Sequence, residues 1–156
     1  MTTPQESLRK LTLATAKTAL ATAKIDPDVG IAVQKVDDVE TTEGLYERWV
    51  ALIPSRGHGQ PFVGAHRHFI GLEYYCGLQG RGLMHRGFKH GDSIVREPSQ
   101  VIQPGDELVI EEGQIHCLEN TGQAPFVLAY ACPPPHMQED REVVPQWPPE
   151  LYAAAA

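Results

Sequence analysis

From Val29 to Cys132 the chain runs in short alternating or β-branched stretches, punctuated by Gly, Pro and Asn. That spacing predicts strands and turns. Val29 to Val36 and Arg48 to Ile53 are strand candidates, joined by a polar connection over Asp37 to Gly44. Asp26-Pro27-Asp28 reads as a turn, and Pro54 to Pro61 as a loop in which His58 is solvated. Further strands are expected over Phe62 to His68, Glu73 to Leu78, Leu83 to Phe88, Glu107 to Ile110 and from His116 onward. Short pieces fall near Ser93–Arg96 and Gln100–Ile102, with His90 exposed before them. Phe126 to Cys132 is the last strand, with Phe126, Leu128, Tyr130 and Cys132 on one face. Only Ser7 to Lys24 has a helical pattern, with Leu8, Leu11, Thr15 and Ala19 as a weak apolar stripe and several threonines lowering its propensity.

From Pro133 onward the chain is Pro-rich and predicts an extended tail wrapping the body or a partner subunit. Met137, Trp147, Leu151 and Tyr152 in that tail need burial. No repeat or linker marks a second domain, and 156 residues suit a single core. The organisation expected is a leading helix and strand over 1–44, a barrel over 45–133 and a tail over 134–156. The fold class is all-β, a single antiparallel sandwich or barrel.

Composition narrows the partners. A formal net charge of −7 argues against nucleic acid, which requires a cationic face, yet leaves a small anionic substrate open because a metal can supply local charge. Cys76, Cys117 and Cys132 are odd in number and lack C-x-x-C spacing, so neither a disulfide framework nor a structural zinc site is indicated. A reducing cytoplasm fits that usage. No apolar run approaches the ~20 residues of a membrane span. Ser7 to Ile25 holds basic but no acidic residues, as transit peptides do; with so poor an apolar stripe, a helix packed on a barrel or a partner is the simpler reading.

The candidate chemistry lies in His66-Arg67-His68-Phe69-Ile70-Gly71-Leu72-Glu73. On a strand His66 and His68 share a face, and the residues after His68 allow a bend that brings a second strand alongside with Glu73. Two imidazoles and a carboxylate can then converge on one first-row metal ion. A second stretch has Gly105-Asp106, a short apolar strand, a turn at Gly113, then His116 and Asn120.

Together these stretches resemble the two motifs of the cupin superfamily. His66, His68, Glu73 and Gly80 match the first, and Gly105, Asp106, Gly113, His116 and Asn120 the second, over roughly residues 45–133. Glu111 stands where the family usually has Pro, at a turn and not at a ligand, and Gln60 stands where the first motif usually opens with Gly. The resemblance implies a small jelly-roll β-barrel with His66, His68, Glu73 and His116 as ligands of one divalent ion. Fe, Mn, Ni or Co suits three imidazoles and a carboxylate, with Zn or Cu as further possibilities.

Three functions are then open: a metal-dependent dioxygenase acting on a small organic molecule, a non-redox isomerase or lyase, and a non-catalytic ligand-binding cupin. Tyr75 shares the face of Glu73 and becomes a donor or a wall of the cavity. His85 and Arg86 lie on opposite faces, and whichever enters the cavity can contact substrate. Arg67, Arg81 and Arg86 are the cations available for a phosphorylated substrate; Arg67, pointing away from its flanking histidines, is the weakest of these. Cys76 is expected to be a buried outer-face residue. The resemblance further implies a homodimer, with helix and tail as interface elements.

Overall fold

A computed structural model describes residues 1–153. Eleven strands form two antiparallel sheets, with short helices at either end of the chain. The first sheet takes the order β1-β2-β3-β10-β5-β8, from β1 (Lys24–Asp26), β2 (Ile31–Thr41), β3 (Gly44–Ile53), β10 (Phe126–Cys132), β5 (Glu73–Gln79) and β8 (Glu107–Ile110). The second takes β11-β4-β9-β6-β7, from β11 (Glu142–Val143), β4 (His66–Arg67), β9 (Ile115–Asn120), β6 (Gly82–His90) and β7 (Ser93–Ile102).

Period-two alternation divides each strand between two cores. Phe126, Leu128, Tyr130 and Cys132 of β10 join Ile53, Tyr75, Met84, Ile102 and Leu118 between the sheets. The intervening Val127, Ala129 and Ala131 face outward and pack with Tyr74 and Cys76 under α1 (Pro4–Arg9) and α2 (Leu13–Leu20). A third cluster, on the outer face of the second sheet, sets Ile115 and Cys117 against Trp147 and Leu151 of the tail.

The single helix expected over Ser7 to Lys24 is two helices and a strand. Thr12 Oγ1 accepts from the Thr15 N–H at 3.1 Å, capping a new helix. Threonine competes for backbone donors in this way, so the residues that lower helix propensity are the ones that divide it. Lys24–Asp26 pairs with β2. The polar connection expected over Asp37 to Gly44 is instead the far half of a long β2–β3 hairpin, with Thr41 opposite Gly44. Its charges pair across strands, Asp37 with Arg48 at 2.5 Å and Lys35 with Glu47 at 2.9 Å, while Val36 and Val39 reach the outer core. Polarity there marks a solvated strand face rather than a loop.

The two short pieces near Ser93 and Gln100 are one strand, β7. It lies at the sheet edge, where Pro98 is tolerated because no ladder bond is required on one side. Strand β4 covers only His66–Arg67, and β5 belongs to the opposite sheet instead of lying alongside. The tail holds a 3₁₀ turn at Pro134–Met137, then β11 and α3 (Pro149–Ala153), and buries Trp147 and Leu151. At Gly80, φ is +85° and a Cβ would stand 2.8 Å from the Pro125 carbonyl, so the turn after β5 requires glycine.

Candidate metal centre

His66 on β4 faces His116 on β9 directly across the ladder. His68 follows on the face of His66, and Glu73 opens β5 from the other sheet. One ligand atom from each of the four lies within 4.8 Å of the others. All four are almost wholly buried, at 5% exposure or less.

Each imidazole is held by its outer nitrogen. Nδ1 of His66 donates to the Gly64 carbonyl at 2.8 Å, Nδ1 of His68 to Asp140, and Nδ1 of His116 to Gln114 at 3.1 Å. A proton on Nδ1 leaves a lone pair on Nε2, the tautomer a metal ligand needs. Nε2 of His68 and of His116 is buried with no hydrogen-bond partner. The His116 Nε2 lies 3.1 Å from Glu73 Oε1. With Nδ1 alone protonated, these are two acceptors in contact, and a cation between them makes the contact favourable. Leaving such atoms bare costs about 1–3 kcal/mol each. The donor set therefore fits a first-row divalent ion.

Electrostatics agree. Burial pushes His66 well below its usual range and His68 down to about 4, so both rings are neutral at pH 7. Burial by itself would raise Glu73, but the imidazoles around it, His68 foremost, carry its carboxyl well below the usual carboxylate range. Neutral rings and an ionised carboxylate are the forms that bind metal.

The segment after β10 completes the site. The Asp140 carboxylate accepts from the backbone N–H groups of Phe69 and Ile70 at 2.8 and 2.9 Å, fixing the bend between β4 and β5. His136 is 1% exposed and stacks parallel on His68, with ring centroids 4.1 Å apart. Its Nε2 donates to the Ile70 carbonyl, and its Nδ1 lies 3.6 Å from Glu73 Oε2. The turn of the second motif is tied to the first by Gly113 N–H donating to the His68 carbonyl at 2.6 Å.

No family model matches the chain. An uncharacterized protein of Methanocaldococcus jannaschii is 32% identical over 79 residues, covering 51% of this chain and 56% of that protein. The chain thus spans about half the length of the curated relative it matches. Among solved structures, an uncharacterized double-stranded β-helix protein from Klebsiella pneumoniae superposes with a TM-score of 0.54 at 16% identity, covering 78% of this chain and 94% of that one. A Cupin 2 conserved barrel protein from Salinispora arenicola gives 0.52 at 15% identity, covering 71% and 80%. Oxalate decarboxylase from Bacillus subtilis gives 0.56 at 19% identity, covering 88% of this chain and 34% of that chain. This chain has the cupin fold.

The cupin motif residues divide by role. His66, His68, Glu73 and His116 converge, whereas Asn120 is a fastener, its amide donating to the carbonyls of Ile53 and Ala124 at 3.0 and 2.9 Å. Tyr75 does face the cavity, and its hydroxyl donates to Glu73 Oε1 at 2.6 Å, making it a positioning residue for that carboxylate. Cys76 is buried on the outer face, as expected.

The structure does not bring His85 to the centre. His85 sits beside Cys117 on the ladder, on the outer face of the second sheet, where it contacts Glu119 at 2.9 Å, Arg96 at 3.1 Å and Ser99 at 3.2 Å. Arg86 is the one that lies opposite His116 and shares the face of Met84. Arg81 is exposed at the turn before β6, and Arg67 pairs outward with Glu142 at 3.0 Å. The residues missed by the sequence are His136, Asp140 and Arg141. Their partners lie some seventy positions away or more, beyond any local period, and the one signal was a His and an Asp-Arg pair set in a Pro-rich tail.

Proposed function

We propose that the chain is a mononuclear metal-dependent cupin enzyme acting on a small organic molecule, with dioxygenase-type chemistry as the leading reading. The observation that carries the metal is the pair of buried, unpartnered Nε2 atoms of His68 and His116 pointing at an ionised Glu73. A divalent ion held there supplies a Lewis acid and, where redox-active, an electron source for dioxygen. His66 and His68 present neutral lone pairs, His116 Nε2 faces Glu73, Glu73 lowers the site's charge, and Tyr75 holds one Glu73 oxygen in place. The wall beside the cluster, built by Val29, Ile31, Val33, Leu128 and Tyr130, keeps bulk water out.

A non-redox sugar or carbonyl isomerase or lyase is the second reading, and it uses the same centre as a Lewis acid. The cavity encloses only about 30 Å³ of water-accessible space, room for roughly two waters, which suits a substrate of few heavy atoms rather than a large aromatic one. Non-catalytic ligand binding is the reading left if neither chemistry is found. A homodimer and a cytoplasmic setting belong to the same proposal.

The test is elemental analysis of protein purified without chelator or added metal, beside His116→Ala. About one equivalent of iron, manganese, nickel, cobalt or copper, absent from the variant, is expected. Oxygen uptake then separates the two chemistries. No metal in the wild type, even after reconstitution, would falsify the reading. A size-exclusion profile that stays monomeric at every concentration would remove the homodimer.

A further inference from the structure

His136 is prepared as the barrel histidines are, yet it stands outside their set. Its Nε2–H is held by the Ile70 carbonyl, with Asp140 Oδ2 3.6 Å away. A carbonyl only accepts, so that proton is fixed on Nε2 and Nδ1 is left to face a cation. Nδ1 is buried, has no hydrogen-bond partner among the described residues, and lies 3.6 Å from Glu73 Oε2. Two ligand atoms of a tetrahedral ion stand about 3.4 Å apart, so this gap has the width that an ion fills.

One ion cannot serve His68 and His136 together. Their rings are parallel to within 3°, with centroids 4.1 Å apart, and both present a nitrogen to Glu73 Oε2, at 3.7 and 3.6 Å. Imidazole lone pairs lie in the ring plane, so the two nitrogens aim at separate points. That offset is close to the ~3.5–4 Å between the ions of a two-metal site. Glu73 is placed to bridge them, since Oε1 faces His116 at 3.1 Å while Oε2 faces His136. The further donor is Cys132, fully buried at the end of β10. One ligand atom from each of Glu73, Cys132 and His136 lies within 4.8 Å of the others. Thiolate, imidazole and carboxylate are donors that zinc takes while keeping a fourth place open. Without metal, the Cys132 thiol keeps its proton and a proton on Nδ1 serves as the cation beside Glu73. One zinc ion in exchange for those two protons, released to solvent, leaves the net charge of the buried cluster unchanged. Asp140 acts from the Nε2 side, and Arg141 stays paired with Asp26, in either state.

We propose a second metal position, built by His136 Nδ1, Cys132 Sγ and Glu73 Oε2, that takes zinc beside the ion held by His66, His68, Glu73 and His116. The inference rests on the metal reading above and extends it, because the zinc ion adds to the one equivalent expected there. It gives the tail, through His136, a ligand that the barrel motifs do not carry.

The test loads chelator-stripped, full-length protein with cobalt(II), a spectroscopic stand-in for zinc, and reads metal content together with absorption. About two equivalents are expected. A thiolate-to-cobalt charge-transfer band in the near ultraviolet should accompany them, because the first centre has no sulfur donor and cannot produce one. Cys132→Ser should bind a single equivalent and show no band, and His136→Gln should likewise fall to a single equivalent. A single equivalent in the wild type, two without the band, a band that survives Cys132→Ser, or a second equivalent kept by either variant would each overturn the inference and leave the metal reading standing. Wild-type protein that takes up no metal would overturn both. Should the variants not fold, the wild-type stoichiometry and band decide alone.

Discussion

At the residue scale the centre depends on groups that never reach the metal position. Tyr75 is buried, and its hydroxyl donates to Glu73 Oε1, which keeps that carboxylate oriented. Burial, then the Glu73 charge, drives the phenol well above its ordinary range, so it stays a donor at every working pH. Tyr75→Phe removes the donor and keeps the ring stacked on Tyr130. Metal affinity, measured by competition with a chromophoric chelator, should fall about tenfold, as is common for partners behind a ligand. An unchanged affinity would reduce Tyr75 to a wall. His136 shows the other kind of support: a flat ring packed with its centroid 4.1 Å from that of His68, which limits how far His68 can swing.

At the element scale, the short helices are held by caps rather than by length. Neither α1 nor α2 is long enough to be stable alone, and each begins at a threonine whose hydroxyl takes a backbone donor. Thr12→Ala should lower stability to urea by about 1 kcal/mol, with metal content untouched, because α2 packs on the outer core away from the centre. A loss of metal in that variant would mean that the helices and the site are coupled. The bend between β4 and β5 is the opposite case. It runs over the exposed Phe69 and Ile70, and Asp140 from the distant tail satisfies its backbone donors. Local sequence shows that a bend exists there; the tail decides its shape.

For the whole molecule, sheet-on-sheet packing places two ligand sources at one point. His66, His68 and His116 belong to the second sheet or its extension, and Glu73 to the first. A metal ion at that point would clamp the sheets together, so binding to the folded chain alone should raise its stability. Treatment with EDTA is expected to lower the thermal midpoint, and restoring the metal to recover it. At a hundredfold excess over the dissociation constant the gain is about 2.7 kcal/mol. His116→Ala should show no such dependence, and a wild-type midpoint indifferent to both treatments would count against the site. No helix among the described residues is long and apolar enough to cross a membrane.

The strand alternation of β10, the grouping of His66, His68, Glu73 and His116 and the outward Cys76 were all legible in the order of residues, because period-two burial and H-x-H spacing are local properties of a chain. Other features were not. Nothing in the hairpin's charged run reveals that its partners lie across the strand, nor can local pattern say whether His85 or Arg86 turns inward, since both faces of that strand are partly covered. The tail was expected to wrap the body; that it would bring His136 and Asp140 against the His68–Glu73 stretch and Arg141 to the cavity wall was decided only by tertiary structure. The reason is physical: those residues act through contacts closed by chain folding over more than sixty positions, and no hydrophobic period records such a closure.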